Sequence, residues 1–501
     1  MTNDSSIVLI GVGQCVQRET DPESARNPVD LIRQAALCAA EDSGVGPSLL
    51  EKLSLVATVD TFAWQPANAA RLVAESVGAH PSREIVSTVG GNTPQAYVNY
   101  LAAEIRAGRA GLSMIAGANV VASLFKARAA NVRLDWPKGG EGEPERFGYA
   151  DEGSNEYENA HGLYLPVHTY PLFENALRAR RGLSIEEHNQ RIGEMFSRFS
   201  SVAARQPCAW FPTKRTAAEI ATPASGNRIV AFPYTKYMNA VMAVDQAAVL
   251  LMTTAAHARE LGVGEERMVH FWGGAEASED PWFVSERPRL DACPAMTYAA
   301  RQAMAAAGVT VEEMDAFDLY SCFPVAVELA CEGLGISETD PRGLTVTGGL
   351  PYFGGPGNNY TTHGIAAMVE KLRSKPGSKG LVTGNGWYLT KHSAGVYASA
   401  PRASSCGAAA IDPSEARHPE GKLPVARHPT GRGRIDSYTV IYSRQGEPDT
   451  GLIVGRLDSG ERFLAHTPQD RDVLEELVSR EGVGRTGTVE AADPVNVFRP
   501  D

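Results

Sequence analysis

A glycine turn in residues 85–121 has the layout that enzymes use to present a reactive side chain. The segment reads IVSTVGGNTPQAYVNYLAAEIRAGRAGLSMIAGANVV, in which an apolar run meets a glycine pair, an amphipathic stretch follows, and a second apolar run ends near Gly117. Strand, sharp turn and helix in this order hold a nucleophile at a helix N-terminus. Here the turn offers Gly91 and Asn92 instead of a Cys or Ser, so covalent catalysis by a side chain of this turn is not expected.

Residues 344–387 repeat this layout in the second half of the chain. They read LTVTGGLPYFGGPGNNYTTHGIAAMVEKLRSKPGSKGLVTGNGW, and counting back from Gly117 and from Gly384 places Asn92 and Asn359 at the same distance. The repeat predicts two βαβ-rich halves with a site between them, where strands end and helices begin. Substrate contacts are therefore predicted for residues of both turns: Gly91, Asn92, Gly355, Asn358, Asn359, Gly384 and Asn385.

Four further side chains near these turns are catalytic candidates, and each has a structural alternative. A phenol with a pKa near 10 donates a hydrogen bond more readily than it removes a proton, so Tyr320 is either a donor to a ligand carbonyl or a half-buried aromatic. Cys322 is either an inert core thiol or, beside a cation, a catalyst. His363 and His392 follow the two motif turns, and each acts in the site only if its ring points inward. Asn92 could cap the following helix, bind a ligand, or do both.

Short apolar runs that alternate with helix-period segments predict an α/β core with a largely parallel sheet. An insertion with long amphipathic segments indicates a helical loop domain. After a Pro/Arg/Gly-rich linker, β-branched runs and turn residues indicate a small antiparallel β-domain of barrel type. The predicted units are residues 1–121 with 227–270 for the first half, 122–226 for the loop domain, 271–405 for the second half and 425–501 for the β-domain.

Composition and charge narrow the possible partners. A formal net charge of −12 disfavours nucleic acid. No stretch is long enough to cross a bilayer and the N-terminus has no basic leader, so we expect a cytoplasmic protein with no membrane partner. The seven cysteines are far apart and form no CxxC pair, and their spacing therefore suggests neither a disulfide framework nor a zinc site: Cys15, Cys38, Cys208, Cys293, Cys322, Cys331 and Cys406.

These motifs resemble the thiolase superfamily, especially the branch related to sterol-carrier-protein-type thiolases. AFDLYSCFPVAVELACEGLGI is similar to the HDCF block of that branch, with Tyr320 in the histidine position and Cys322 in the cysteine position. GGLPYFGGPGNNY lies where the family has its GHP block, with Gly355 in the histidine position. Gly91 or Asn92 occupies the position of the nucleophilic cysteine. The tail from about residue 430 is similar to the OB-fold domains that accompany thiolase homologues.

The resemblance implies a duplicated thiolase fold with layers α-β-α-β-α, a loop domain and an extra C-terminal OB-like β-domain. It implies CoA or acyl-CoA as the ligand, with no resident cofactor and no metal, and either a homodimer through the core sheet or a monomer. A thiolase carries its acyl group on a cysteine that the GHP histidine activates. Both are missing here, so thiolase activity is expected to be weak or absent. The CoA phosphates would contact Arg178, Arg181 and Lys214 of the loop domain.

Three functions remain open from the sequence. The first is an acetyl-CoA acetyltransferase-like protein of lipid metabolism that binds CoA or acyl-CoA, with weak acyltransferase activity or none. The second is a retro-aldolase that acts on a β-hydroxyacyl-CoA without an acyl-enzyme, because some thiolase-like aldolases resemble this chain in using tyrosines; Tyr320 and Tyr352 are then the candidates. The third is a non-catalytic scaffold whose β-domain recruits a protein partner.

Overall fold

The computed structural model describes residues 4–19, 21–149, 151–402 and 413–501. Cys406 and the end of the predicted second half lie outside these ranges. The helices are α1 Pro28–Asp42, α2 Ala69–Ser76, α3 Thr93–Arg106, α4 Val121–Ala130, α5 Glu156–Ala160, α6 Pro166–Arg180, α7 Ile185–Ala203, α8 Ala217–Ala221, α9 Ala255–Glu260, α10 Pro294–Ala307, α11 Pro324–Leu334, α12 Tyr360–Arg373 and α13 Arg471–Ser479. Across the described ranges, no helix combines the length and apolar character needed to span a membrane.

Seventeen strands lie in the described residues. They are β1 Ile7–Val16, β2 Leu55–Thr58, β3 Arg83–Ser87, β4 Ser113–Val120, β5 Glu145–Phe147, β6 Ile229–Ala231, β7 Tyr234–Thr235, β8 Asp245–Thr254, β9 Val269–Ser278, β10 Ala316–Asp318, β11 Lys379–Gly386, β12 Lys391–Ala398, β13 Gly431–Tyr442, β14 Pro448–Leu457, β15 Arg462–His466, β16 Thr486–Glu490 and β17 Val497–Pro500.

Ten of the strands form one large sheet in the order β10-β11-β12-β9-β1-β8-β4-β2-β3-β5. The sheet is mixed and not largely parallel as the sequence suggested. The pairs β2–β3, β2–β4, β3–β5 and β10–β11 are parallel, whereas β4–β8, β8–β1, β1–β9, β9–β12 and β12–β11 are antiparallel. Strand direction depends on how the segments connect. Strands β11 and β12 follow each other directly and pair as a hairpin, whereas the whole loop domain lies between β4 and β8 in the chain. The two halves of the core join where β1 pairs with β9.

Helices cover and separate the two halves of this sheet. Helices α1 and α2 pack on the outside of the first half, and α10 and α11 pack on the outside of the second. Between the halves, α3 and α12 contact each other and share a hydrophobic core with strands of both halves. Nearly every side chain of α12 is buried, as expected for a helix enclosed on all sides.

The C-terminal domain is a closed five-stranded β-barrel. Strand β13 pairs with both β14 and β16, and the ring is completed by the pairs β14–β15, β15–β17 and β17–β16. All of these pairs are antiparallel except β15–β17. Closure leaves the barrel without a free sheet edge, and the predicted β-domain of barrel type is confirmed. Residues 229–235, which the sequence assigned to the first half, form β6 and β7 and extend the barrel sheet through Ala231 and Ile441.

The barrel packs closely against the loop domain. Asn175 of α6 donates to the carbonyl oxygen of Tyr438 at 2.8 Å, and the hydroxyl of Tyr157 accepts from the backbone N–H of Leu464 at 2.9 Å. Apolar side chains of β14 and β15 belong to the same hydrophobic core as those of α6 and α7. The barrel is therefore an integral part of the molecule.

Candidate functional site

The two glycine turns meet between the halves of the core. The backbone N–H of Gly90 donates to Asn358 Oδ1 at 2.9 Å, and Thr361 Oγ1 donates to the carbonyl oxygen of Gly91 at 2.6 Å. Helix α3 begins directly after the first turn and α12 directly after the second. The predicted position of the site, where strands end and helices begin, is thus a contact between the corresponding turns of the two halves.

Tyr320 lies directly over Gly91. A β-carbon on Gly91 would overlap the hydroxyl oxygen of Tyr320 and would lie 2.8 Å from its Cζ and 2.6 Å from the carbonyl oxygen of Asn385. The phenol therefore fills the space into which a side chain at position 91 would project. Burial, together with the neighbouring Cys322, raises the pKa of Tyr320 well above 10. The hydroxyl stays protonated, and it donates no hydrogen bond to any residue in the described part of the chain.

Cys322 is buried beside Asn385 and a tyrosine of the loop domain. Asn385 Nδ2 lies 3.7 Å from Cys322 Sγ and donates to Tyr170 Oη at 2.9 Å. Tyr170 donates to the carbonyl oxygen of Trp387 at 2.8 Å. Burial raises the pKa of Cys322 to about 12, so its thiol is neutral and a poor nucleophile near neutral pH. No motif in the sequence pointed to Tyr170, because the packing of the loop domain on the core brings it here.

The side chain of Asn92 does not cap helix α3. The residue is at the N-cap, but it makes no side-chain cap hydrogen bond, and its buried Oδ1 has no partner among the described residues. This oxygen lies against two glycines: a β-carbon on Gly90 or on Gly386 would be 2.5 Å from it. The position of the Asn92 side chain therefore requires glycine at both residue 90 and residue 386.

Lys391, which sequence reasoning missed, borders the same turn. Its Nζ would lie 3.0 Å from a β-carbon on Gly90, and it donates to the carbonyl oxygen of Val89. The ring centroid of Trp387 is 5.7 Å from Nζ. Burial lowers the pKa of Lys391 to about 8. The only sequence signal was a lysine that follows a glycine turn and begins an apolar strand.

The asparagines of the second turn hold the two halves together. Asn358 Nδ2 donates to the carbonyl oxygen of Asp60 at 3.0 Å, and Asn359 Nδ2 donates to that of Gly117 at 2.7 Å. Asn359 thus contacts Gly117, which lies inside β4 of the first half and not at the end of its strand. Both side-chain amides already donate hydrogen bonds to backbone carbonyl oxygens. Their role in substrate binding stays a prediction.

The other residues predicted from the second half are tightly packed. His363 faces β1, with Nδ1 2.8 Å from Gln14 Oε1, and burial lowers its pKa to about 3. Gly355 donates its N–H to the carbonyl oxygen of Val241 at 2.9 Å. Gly384 lies against the first turn, since a β-carbon there would be 2.8 Å from the Cα of Asn92. Of these three residues, Gly384 contacts the first turn directly.

Comparison with solved structures decides the family. The structure of a monomeric SCP2-thiolase-like protein type 1 from Mycobacterium smegmatis has 34% sequence identity to this chain and a TM-score of 0.84, and the match covers 100% of both chains. The chain belongs to the SCP2-thiolase-like proteins of type 1. A family model described as the additional C-terminal domain of thiolase-like protein type 1 matches residues 418–493. No curated protein matches the sequence.

Two more distant structures share the thiolase fold. The dimeric peroxisomal thiolase of Saccharomyces cerevisiae has 14% identity and a TM-score of 0.57, with 79% of this chain and 98% of that chain covered. The Ltp2–ChsH2(DUF35) aldolase has 19% identity and a TM-score of 0.58 over 79% of this chain and 98% of that chain. The predicted fold, a thiolase core with an additional C-terminal β-barrel domain, is confirmed.

In this thiolase-like protein, two of the three predicted phosphate ligands are already paired. Arg178 is buried, and its guanidinium donates to both carboxylate oxygens of Glu481, at 2.7 and 2.9 Å. Arg181 donates to Glu328 at 2.7 Å. Lys214 is exposed. Phosphate binding by these residues stays a prediction, and the ion pairs of the two arginines oppose it.

The fourth catalytic candidate, His392, lies on the opposite face of β12 from the turns. Lys391 and Ser393 flank it in the strand, and both contact the first turn. Because side chains alternate along a strand, His392 points away from that turn. Its Nε2 is 3.2 Å from Cys293 Sγ, and burial lowers the pKa of His392 to about 4. His392 therefore belongs to a different buried cluster.

Proposed function

We propose that this protein binds a CoA thioester at the contact between the two glycine turns without forming a bond to it. The observation that carries the proposal is the position of the Tyr320 hydroxyl in the space beside Gly91. We assign Gly91 to the position that the thiolase resemblance gives to the nucleophilic cysteine, because its missing side chain would face Tyr320. A glycine hydrogen cannot accept an acyl group, and the neutral Cys322 thiol is a poor substitute.

Unused hydrogen-bonding capacity at the turns supports ligand binding. Buried polar atoms in folded proteins are nearly always paired, yet the Oδ1 atoms of Asn92 and Asn385 have no partner among the described residues. Tyr320 has a free donor suited to a thioester carbonyl oxygen. The two amide oxygens could accept from the amide N–H groups of the pantetheine arm. Tyr320 and Cys322, each 8% exposed, form the edge from which a ligand would reach the site.

Calorimetric titration of the full-length chain with CoA, acetyl-CoA and longer acyl-CoAs tests this proposal. We expect Tyr320→Phe to weaken acetyl-CoA binding about 3- to 10-fold, the effect of losing one hydrogen bond. Tyr397→Phe is the matched control, because that buried hydroxyl bonds Gln95 in the core between the halves, and its binding should equal wild type. No binding of any CoA thioester at millimolar concentration would refute the proposal.

Lys391 favours a second candidate function, the retro-aldol cleavage of a β-hydroxyacyl-CoA. A buried amine with a pKa of about 8 can accept a proton near neutral pH. It would take the proton of the β-hydroxyl group as the carbon–carbon bond breaks, a carbonyl product would leave, and the bond electrons would form the thioester enolate. Tyr320 would donate a hydrogen bond to the enolate oxygen. The α-carbon of the enolate is then protonated. A structure named as an aldolase shares the fold.

Substrate panels of β-hydroxyacyl-CoAs would test the second candidate. Once a substrate is found, Lys391→Met and Tyr320→Phe should each lower kcat at least about 100-fold, the usual size of a general-base or oxyanion contribution. Tyr352 was the other tyrosine candidate, but its ring packs against Phe196 of α7. We therefore expect the Tyr352→Phe variant to keep wild-type activity. Full turnover in Lys391→Met would exclude this mechanism.

We propose that the protein acts as a monomer. The short strand β5 pairs in parallel with β3 and closes that end of the large sheet. Its Glu145 and Arg146 are exposed, and charged side chains on an edge strand discourage pairing with a second sheet. A homodimer through this edge would have to displace β5. The solved relative that covers the whole chain is described as monomeric.

We propose that the C-terminal barrel packs on the loop domain of its own chain and does not serve to bind a separate protein partner. Its surface toward the loop domain makes contacts such as the ion pair between the buried Arg178 of α6 and the more exposed Glu481. A pull-down with the isolated tail, residues 425–501, would test the scaffold alternative, since a domain whose binding face is internal should capture no partner. We also propose a cytoplasmic location and a role in lipid metabolism.

A further inference from the structure

Four buried side chains from distant parts of the sequence meet behind strand β12. They are named here the Glu279 cluster: Glu279, Cys293, His392 and His418. Each is at least nine-tenths buried. Glu279 follows β9, Cys293 precedes α10, His392 lies in β12, and His418 lies in the segment between the undescribed residues and the barrel. The catalytic proposals above use none of these groups.

The spacing of their donor atoms is that of a metal site. Cys293 Sγ is 3.2 Å from His392 Nε2 and 3.2 Å from Glu279 Oε1, and His418 Nε2 is 2.8 Å from Glu279 Oε2. Donor atoms of Cys, His and Glu around a tetrahedral zinc ion lie about 3.3 to 3.6 Å apart, given the usual metal–ligand bond lengths. The ligand atoms of Glu279, Cys293 and His392 all lie within 4.8 Å of one another, so these three side chains can hold one ion. His418 reaches the cluster through its contact with the other carboxylate oxygen of Glu279.

We propose that the Glu279 cluster binds one zinc ion. Thiolate, imidazole and carboxylate are the ligand types that zinc prefers, and a cysteine together with histidines disfavours magnesium and calcium. Binding would release the thiol proton of Cys293 to solvent. One thiolate and one carboxylate would then balance the two positive charges of the ion, with His392 as a neutral third ligand. His418 would orient the Glu279 carboxylate from behind. A neutral complex is the form that a buried site tolerates best.

Another buried group of possible ligands is less suited to a metal. Glu174, His188 and Glu328 also lie within reach of one another, but this group has no thiol and a single histidine. Tyr234 donates to Glu174 at 2.6 Å and His188 Nε2 is 2.6 Å from the same carboxylate. Because it has no thiol and a single histidine, this group suits zinc less well, and the Glu279 cluster is the stronger candidate.

The proposed ion would fasten the C-terminal segment to the thiolase core. His418 is the first residue of the match to the additional C-terminal domain, whereas Glu279, Cys293 and His392 come from the second half of the core. A structural zinc ion contributes folding free energy because its ligands are assembled only in the folded chain. Removing the ion should release the segment that leads to the barrel.

The full-length chain, purified without chelators and after removal of any histidine tag, provides the test. Elemental analysis should find about one zinc per chain, and exchange for cobalt should produce a thiolate-to-cobalt charge-transfer absorption in the near ultraviolet. Natively folded protein that contains no zinc after expression with added zinc, and that gives no such absorption with cobalt, would overturn the proposal.

Variants locate the ion. Cys293→Ala should lower zinc content at least tenfold and abolish the charge-transfer absorption. Cys331→Ala removes another buried cysteine, outside the cluster in α11, and should keep both. If Cys293→Ala fails to fold, His418→Gln takes its place and should lose zinc to a competing chelator at least tenfold faster than wild type. Zinc content equal to wild type in the folded Cys293→Ala variant, or wild-type zinc release in His418→Gln, would overturn the assignment.

Discussion

The hydroxyl group of Tyr320 lies in the space that a side chain at Gly91 would need. Tyr320, which the thiolase resemblance places at the HDCF histidine, and Gly91, which we propose for the position of the nucleophilic cysteine, are therefore sterically matched. Restoring a side chain at position 91 requires the removal of the phenol. The first glycine turn thus lies at the start of α3 and has no room for a side chain at Gly91.

A double-mutant cycle measures this steric relationship. Gly91→Ala should lower the free energy of unfolding by about 2 kcal/mol or more, because its β-carbon has no space. In a Tyr320→Ala background the same substitution should cost at least about 1 kcal/mol less, with part of the cost remaining because the Asn385 carbonyl oxygen is also close. Gly139→Ala is the control, since its β-carbon would meet open space. An identical cost of Gly91→Ala in both backgrounds would disprove the relationship.

The lowered pKa of Lys391 makes a prediction about pH. In the folded chain the amine has a pKa of about 8, below the ordinary 10.5, so the unfolded chain binds the proton more tightly. Lys391 therefore destabilises the fold fully below pH 8, and this effect disappears as the pH rises to 10.5. The free energy of unfolding of Lys391→Met minus that of wild type should therefore be about 3 kcal/mol larger at pH 7 than at pH 10.5.

Urea unfolding of wild type and Lys391→Met across this pH range checks the sign. The comparison of the two proteins cancels the titration of the buried tyrosines and cysteines, which both share. Lys375→Met, at an exposed lysine, supplies the baseline for loss of a surface amine. A stability difference between Lys391→Met and wild type that does not change between pH 7 and pH 10.5 would show that the Lys391 amine is not desolvated.

The pair of Arg178 and Glu481 is predicted to stabilise the attachment of the barrel. The Arg178 side chain is 2% exposed, so Glu481→Gln would leave a buried cation without its carboxylate. We expect a loss of about 1 to 3 kcal/mol, less than for a fully buried pair because Glu481 is partly exposed. Glu475→Gln breaks an exposed pair with Arg471 and should change stability little. Equal stabilities of the two variants in chemical denaturation would contradict this role.

Sedimentation analysis should find a single monomeric species over the micromolar concentration range. The prediction follows from β5, which covers the β3 edge of the large sheet. Replacing Glu145 and Arg146 by valine would make that edge apolar, and this variant should self-associate more than wild type. A wild-type dimer that persists at low micromolar concentration would show that the molecule pairs through another surface.

The fold was largely predictable from the sequence because its signals are local. Glycine turns, helix-period segments and β-branched runs mark α3, α12 and the barrel, and Asn92 and Asn359 do precede equivalent helices. The mixed character of the sheet was missed, because strand direction depends on how distant segments connect. The sequence also placed β6 and β7 in the wrong unit, since their partner β13 lies about 200 residues further along the chain.

The chemistry of the site was less predictable because it depends on contacts across the whole chain. The sequence offered Arg178 and Arg181 of the loop domain as phosphate ligands, but it could not reveal that carboxylates from later segments already pair with them. The alternation of β12 turns Lys391 toward the first turn and His392 toward Cys293. Neighbouring residues of one strand thus belong to two different sites, the first glycine turn and the Glu279 cluster.

Mass spectrometry after incubation with acetyl-CoA tests the central claim most directly. The full-length protein should remain unmodified, with no acetyl group on Cys322 or on any other cysteine after acid quenching and peptide mapping, while calorimetry under the same conditions detects bound ligand. A stable acetyl adduct on a cysteine that forms at a catalytically useful rate would contradict the claim that this thiolase-like protein works without a covalent intermediate.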